Sequence, residues 1–372
     1  MKWSWKIGRV MGIDLRLHAT FLLLLALVGV SYWTAGGSAR AALGAVGFMM
    51  ALFASVVLHE LGHAFEARRF GIQAKDIVLL PIGGVVRLER IPEEPKQELR
   101  IALAGPAVSL AIAAGLFGCV KLLHEWQPMA ALGVATGPFL ERLMVANVWL
   151  ALFNLIPAFP MDGGRVLRAL LASRTTYLKA TQTAAAAGRW IGFGFGLAGL
   201  FTNPMLILIG LFVWVGATEE AAAARMRSAL SATPVRLAML TDFEILRPDD
   251  TLADAARASL RAPHRALPVV DDGWIAGMLT ERDMLAALAE FGEQRPVTLV
   301  MRREFPVAEA TEMLESVFQR MVDCECETIP VVRNKQAIGL VTMDILRELM
   351  ALDATIQKRR ARLGLRNVEG KI

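Results

Sequence analysis

The sequence predicts a polytopic α-helical membrane protein of about six transmembrane helices, followed by a soluble α/β domain built from an internal repeat. Three observations carry that prediction. Of the 372 residues, 55% are hydrophobic and 20% charged, with a mean hydropathy of +0.46. That balance is too apolar for an ordinary soluble chain and too charged for one confined to a bilayer. Six apolar runs of near-bilayer length fall within residues 1–222. Beyond them, two short motifs recur at one fixed offset of 62 residues, the mark of a duplicated unit.

Taken in order, residues 1–16 carry Lys2, Lys6, Arg9 and Arg16 and read as a basic leader. His18 to Trp33 is the first span, retained because no small-residue cleavage signal follows it. The second runs from Ala41 to about Glu66. Residues 67–100 are polar and hold seven lysines and arginines; Asp76–Leu80 and Val85–Arg90 flank Pro81-Ile-Gly-Gly84 as a β-hairpin. The third span covers about Ile101 to Leu123 and opens with Ala104-Gly-Pro-Ala107. The fourth covers about Pro138 to Ile156, the fifth Thr181 to Leu200 and the sixth Pro204 to Thr218.

The net charge of +5 sits mostly in the loops at 67–100 and 157–180, while the loops near 34–40, 124–137 and 201–203 are poor in lysine and arginine. The positive-inside tendency explains this distribution without invoking nucleic acid. It places both termini in the cytoplasm of a multi-pass cell-membrane protein of prokaryotic type. Three cysteines give no disulfide framework, and Cys324 and Cys326 read as reduced thiols.

At the cytoplasmic end of the second span stands Ser55-Val-Val-Leu-His-Glu-Leu-Gly-His-Ala64. Residues four apart share a helix face, so His59 and His63 can reach one metal ion while Glu60 is held beside the water that ion would activate. This His-Glu-x-x-His spacing is that of a zinc hydrolase. Ionisable groups bordering an apolar span are costly and usually functional. The fourth span runs in the same direction as the second, so the turn Asn154-Leu-Ile-Pro-Ala-Phe-Pro-Met-Asp-Gly-Gly164 brings Asp162 out at the same depth and side. Two histidines and one carboxylate leave a fourth position open, as catalytic zinc requires.

These two motifs, His59-Glu60-Leu61-Gly62-His63 and Asn154-x-x-Pro157-x-x-Pro160-x-Asp162-Gly163, resemble those of the site-2 protease family of intramembrane zinc proteases, over about residues 1–222. The resemblance implies His59, His63 and Asp162 as ligands of one Zn2+, Glu60 as general base, and Asn154 as a substrate-positioning or oxyanion group. It implies that the Pro81–Gly84 hairpin aligns an extended substrate. It also implies a membrane-associated regulatory protein as substrate, cut within or next to a transmembrane segment in regulated intramembrane proteolysis.

After Thr218 an alanine-rich charged helix leads into a linker, placed at 223–235. Leu267-Pro-Val-Val270 then matches Ile329-Pro-Val-Val332, and Gly277-Met-Leu-Thr280 matches Gly339-Leu-Val-Thr342. Each copy reads helix, strand, turn, strand, helix. The pair, at 236–291 and 297–350, resembles tandem cystathionine-β-synthase-type (CBS) domains. Such pairs often bind an adenine nucleotide, with the ribose held near Thr280 and Asp283; the second copy has Ile345 where the aspartate belongs. Dimerisation through the pair is the alternative use. A basic helical tail at 351–372 carries Lys358, Arg359, Arg360, Arg362 and Arg366 and suits contact with the lipid surface. Two other functions fit the same architecture: a transporter or channel gated by the soluble pair, and a catalytically silent membrane scaffold.

Overall fold

A computed structural model describes residues 3–362 except 37, 82, 91, 93, 124–137, 262–265 and 335. Ile82 of the hairpin, the 124–137 loop and the tail beyond residue 362 therefore lie outside the described residues. The chain divides into two compact units, Met1–Ala222 and Ala223–Ile372.

The first unit begins with a finding that the charges of the leader concealed. Residues 4–18 are two antiparallel strands, β1 (Ser4–Val10) and β2 (Ile13–His18), turned at Met11 and Gly12, both with positive φ. With β3 (Ala74–Leu80) and β4 (Gly83–Leu88) they form one four-stranded sheet in the order β1-β2-β3-β4. Period-two alternation explains it: Leu15, Leu17 and Leu79 face one side and pack with Phe21 and Phe53. The other side carries ion pairs, Lys6–Asp14 at 2.7 Å and Arg16–Asp76 at 3.2 Å, with Arg87 also on Asp76.

Among the described residues seven helices accompany the sheet: α1 (Ala19–Gly36), α2 (Ala39–Arg69), α3 (Pro95–Leu123), α4 (Phe139–Asn154), α5 (Asp162–Ala172), α6 (Tyr177–Phe201) and α7 (Met205–Ser231). Among the described residues α2, α3, α6 and α7 are long and apolar enough to cross a membrane, and α1 is a shorter apolar helix. The 16-residue α4 falls short of the roughly 20 residues of a free-standing span. The expected six spans therefore correspond to four full-length helices and two shorter ones. Large apolar side chains such as Leu23, Leu27, Trp190 and Leu208 stay exposed on the helices, as lipid-facing positions require. The sixth span and the charged helix after it are one continuous α7, because no proline or glycine interrupts Ala217 to Ser231. Most of the expected 223–235 linker is thus helical.

The second unit repeats one design at the 62-residue offset. The first copy contains α8 (Leu252–Arg261), β5 (Ala266–Asp271), β6 (Trp274–Thr280) and α9 (Glu281–Phe291). The second contains a short β7 (Ala308–Glu309), α10 (Leu314–Asp323), β8 (Thr328–Arg333), β9 (Gln336–Thr342) and α11 (Met343–Arg362). Their five strands join in the order β5-β6-β9-β8-β7. The copies also exchange their leading segments. Leu230, Val235 and Ala238 pack in the core of the second copy, and Val297 and Met301 in that of the first. Cys324 and Cys326, expected as reduced thiols, are joined by a disulfide. The turn that closes α10, with Glu325 at positive φ and the Cys326 amide bonded to the Met321 carbonyl, folds the two side chains together.

Candidate metal and catalytic site

α2 and α5 deliver the ligand set. His59 and His63 stand one turn apart on α2, and Asp162 is the first residue of α5, reached through the 155–161 loop. His59 Nε2 lies 3.1 Å and His63 Nε2 3.2 Å from Asp162 Oδ2, with 3.2 Å between the two nitrogens. Three donors about 2.1 Å from a common ion at tetrahedral angles stand about 3.4 Å apart, so the set fits zinc closely. All three side chains are buried, and this is the one metal-capable group of His, Cys, Asp and Glu among the described residues.

The outer ring nitrogens fix which atoms face inward. His63 Nδ1 donates to the Ile101 carbonyl at 2.7 Å. A carbonyl only accepts, so neutral His63 keeps its proton there and turns an Nε2 lone pair into the site. His59 Nδ1 shares a hydrogen bond of 2.9 Å with Ser109 Oγ. Lone pairs and a carboxylate facing one another are mutually repulsive until a cation lies between them, which is the chemistry the donor set calls for.

α3 supplies both outer partners and one absence. Ile101, Gly105 and Ser109 fall at i, i+4 and i+8 on one face. A Cβ at Gly105 would stand 2.6 Å from His59 Nε2, so only glycine lets α3 approach the ligand atoms. Pro106 follows within the helix. Sequence reasoning noted the Ala104-Gly-Pro-Ala107 stretch without giving it a role. A glycine amid an apolar helical run, four residues from a serine on the same face, was the available signal.

Glu60 is half-buried and meets β4: a Cβ at Gly84 would stand 2.7 Å from its Cγ. The edge strand of the sheet therefore runs past the carboxylate beside the ligand set. Asn154 closes α4 and its amide donates back to the Leu150 carbonyl at 3.0 Å. In the second unit, Thr280 Oγ caps α9 by accepting from the Asp283 amide at 3.1 Å, and Thr342 does the same for the Ile345 amide at 3.3 Å. The recurring threonine is thus explained locally. Asp283 is engaged by Arg302, through Nε at 2.6 Å and Nη2 at 3.1 Å. Those charge-assisted bonds hold its carboxyl below the usual range. At the 62-residue offset the counterparts of Arg302 and Asp283 are Leu240 and Ile345, so the second copy lacks this ion pair.

A buried His-His-carboxylate set with a glutamate beside it, its histidines and glutamate on an apolar helix of membrane-crossing length and its carboxylate on the short α5, is the donor set of a membrane metallohydrolase. Residues 47–136 and 114–198 match the model of Peptidase family M50, and residues 235–290 and 297–352 each match that of the CBS domain. A zinc metalloprotease of Methanocaldococcus jannaschii is 33% identical over 356 residues, covering 95% of this chain and 98% of the relative. Rip3 of Mycobacterium tuberculosis is 31% identical over 359 residues, 90% of each chain. The solved site-2 protease from Methanocaldococcus jannaschii covers 59% of this chain and 95% of its own, at 40% identity and a TM-score of 0.46. The chain belongs to the M50, or site-2 protease, family of zinc metalloproteases, with a tandem CBS pair after the membrane part. It is a membrane protein and a hydrolase, and the transporter and scaffold readings give way to that membership.

Proposed function

We propose that this protein is an intramembrane endopeptidase in which His59, His63 and Asp162 hold one zinc ion and Glu60 is the general base. The observation that supports this reading most is the convergence of three buried ligand atoms within 3.2 Å, with both histidines oriented from behind. Zinc held by these groups supplies a Lewis acid and a means of activating water near neutral pH. Glu60 takes a proton from the water that attacks the peptide carbonyl carbon. As the carbon–nitrogen bond breaks, it hands that proton to the leaving nitrogen, giving a carboxylic acid and an amine. The backbone of β4, at a sheet edge beside Glu60, pairs with an unwound stretch of substrate and presents it as an extended strand. Asn154 contributes to substrate positioning once its amide leaves the Leu150 carbonyl.

The substrate class is a membrane-associated regulatory protein cut within or beside its transmembrane segment. The basic loops support a multi-pass cell-membrane protein with both termini in the cytoplasm. The CBS pair senses an adenine nucleotide in its first copy, where ligand binding has to displace Arg302 from Asp283, or it binds the substrate's soluble portion or a second copy of the chain. Purified Glu60→Gln protein is expected to keep one zinc per chain, lose cleavage and co-purify uncut substrate; Asp162→Ala is expected to lose the zinc. Cleavage at the parent rate by Glu60→Gln, or a parent that binds no zinc, would overturn the assignment.

A further inference from the structure

Among the described residues of the first unit Arg168 is the most deeply buried arginine or lysine, at 2% exposure, and catalysis as described makes no use of it. Its Nε donates to Glu98 Oε1 at 2.7 Å and its Nη2 reaches the same oxygen at 2.5 Å, while Nη1 donates to Glu220 on α7. Its guanidinium lies over the rings of Phe159 and Tyr177, 5.0 and 4.9 Å from their centroids. Such a buried ion pair is weak evidence of stability, because desolvation offsets the attraction and apolar replacements are often neutral or better. What it does fix is geometry, since the planar fork accepts few arrangements.

The elements it joins are those the metal site depends on. Arg168 and Asp162 share the 11-residue α5. Glu98 begins the α3 face that continues to Ile101 and Ser109, the partners of the two histidines. Phe159 belongs to the loop that delivers Asp162. Arg168 thus pins the carrier of the carboxylate to the helix that orients the imidazoles, across a sequence gap of 70 residues. A ligand from a separate short helix needs such a tie, because useful geometry tolerates only about 0.5 Å of error.

We infer that Arg168 is the positioning residue for Asp162, holding α5 in register with α3 so that the carboxylate meets both histidines. This rests on the zinc reading given above. The test uses the full-length protein in detergent and the apolar replacement Glu98→Met/Arg168→Met, which removes both fully buried charges and releases only the partly exposed Glu220, together with Arg168→Lys. Zinc affinity is measured by chelator competition, ligand geometry by the visible spectrum of the cobalt-substituted protein, and folding by the melting temperature of metal-free protein. The double variant is expected to melt within a few degrees of the parent yet bind zinc at least tenfold more weakly, with an altered cobalt spectrum. Arg168→Lys, which keeps the charge and loses the fork, is expected to weaken zinc at least threefold. Parent-like affinity and cobalt spectrum in either variant overturn the inference, and if the double variant does not fold, Arg168→Lys decides it. A parent that binds no metal would instead refute the zinc reading itself.

Discussion

Gly105→Ala is the sharpest perturbation the site offers, because it adds one methyl group to the helix that faces both imidazoles. The added carbon would press hardest on His63 Nε2, and would stand 2.5 Å from His63 Cε1 and 2.6 Å from His59 Nε2. Ordinary contact between such atoms is about 3.5 Å, so the His59 ring must retreat by about 1 Å and the His63 ring by more. Neither ring can move freely. The Ser109 and Ile101 hydrogen bonds, 2.9 and 2.7 Å long, would stretch beyond the distance at which they count as bonds. Losing both at roughly 1–1.5 kcal/mol each is about 2–3 kcal/mol, or roughly 30- to 150-fold in zinc affinity. Alanine is the better helix former by about 1 kcal/mol, so lost zinc could not be blamed on an unwound α3. Metal analysis after titration with a chelator reads the effect directly. A folded Gly105→Ala protein with parent zinc affinity would refute both the packing and the ligand assignment.

Other positions should separate the parts of the site. Ser109→Ala removes only the His59 Nδ1 partner and is expected to weaken zinc binding about 10- to 100-fold, measured by the same titration. Gly84→Ala sets a methyl group 2.7 Å from Glu60 Cγ and 3.2 Å from Val56 Cγ1. It should lower kcat while leaving one zinc per chain, a combination that loss of the metal could not produce. In the second unit, the Arg302 guanidinium lowers the Asp283 pKa, so the pair stabilises the fold above the unfolded carboxyl value near pH 4, and this is lost as pH falls through the folded value. Asp283→Asn should therefore destabilise the CBS unit by about 0.2–1 kcal/mol at neutral pH, as exposed pairs do. Its denaturation midpoint should converge with the parent's in acid; a gap that persists at low pH would contradict the linkage.

Two parts of the candidate site were legible because their chemistry is written in side chains at helical spacing. His59, Glu60 and His63 needed only the i, i+4 rule, and Asp162 needed the count of spans that brought it to the same side. The orienting apparatus was illegible for the opposite reason: Ile101 acts through a backbone carbonyl and Gly105 through a missing side chain, neither of which a residue type announces. In β1 and β2 the alternation Ile13-Asp-Leu-Arg-Leu-His18 was present, but the basic residues drew the reading toward a membrane leader. α7 was divided because composition changes at Thr218, although composition is not a helix terminator. The ribose reading of Asp283 missed Arg302, 19 residues away in sequence, because a long-range ion pair leaves no local pattern.

The unnamed positions of the motif acquire a reason from the same packing. A Cβ at Gly62 would stand 2.9 Å from the Ala104 carbonyl oxygen and 2.8 Å from Val108 Cγ2. Gly62 and Gly105 therefore let α2 and α3 approach closely at the level of His59 and His63, Gly62 against Ala104 and Val108 and Gly105 against the two imidazoles. Small residues are what bring helices together in lipid, where no hydrophobic force between them exists. Close approach is also what places a backbone carbonyl within 2.7 Å of His63 Nδ1. Ligand precision in this protein thus comes from helix packing along α3, with the Glu66–Arg100 ion pair at 2.7 Å closing the same two helices just beyond the site. A mutation that widens the α2–α3 contact anywhere between Gly62 and Ser109 should reach the metal ligands before it reaches the stability of the fold.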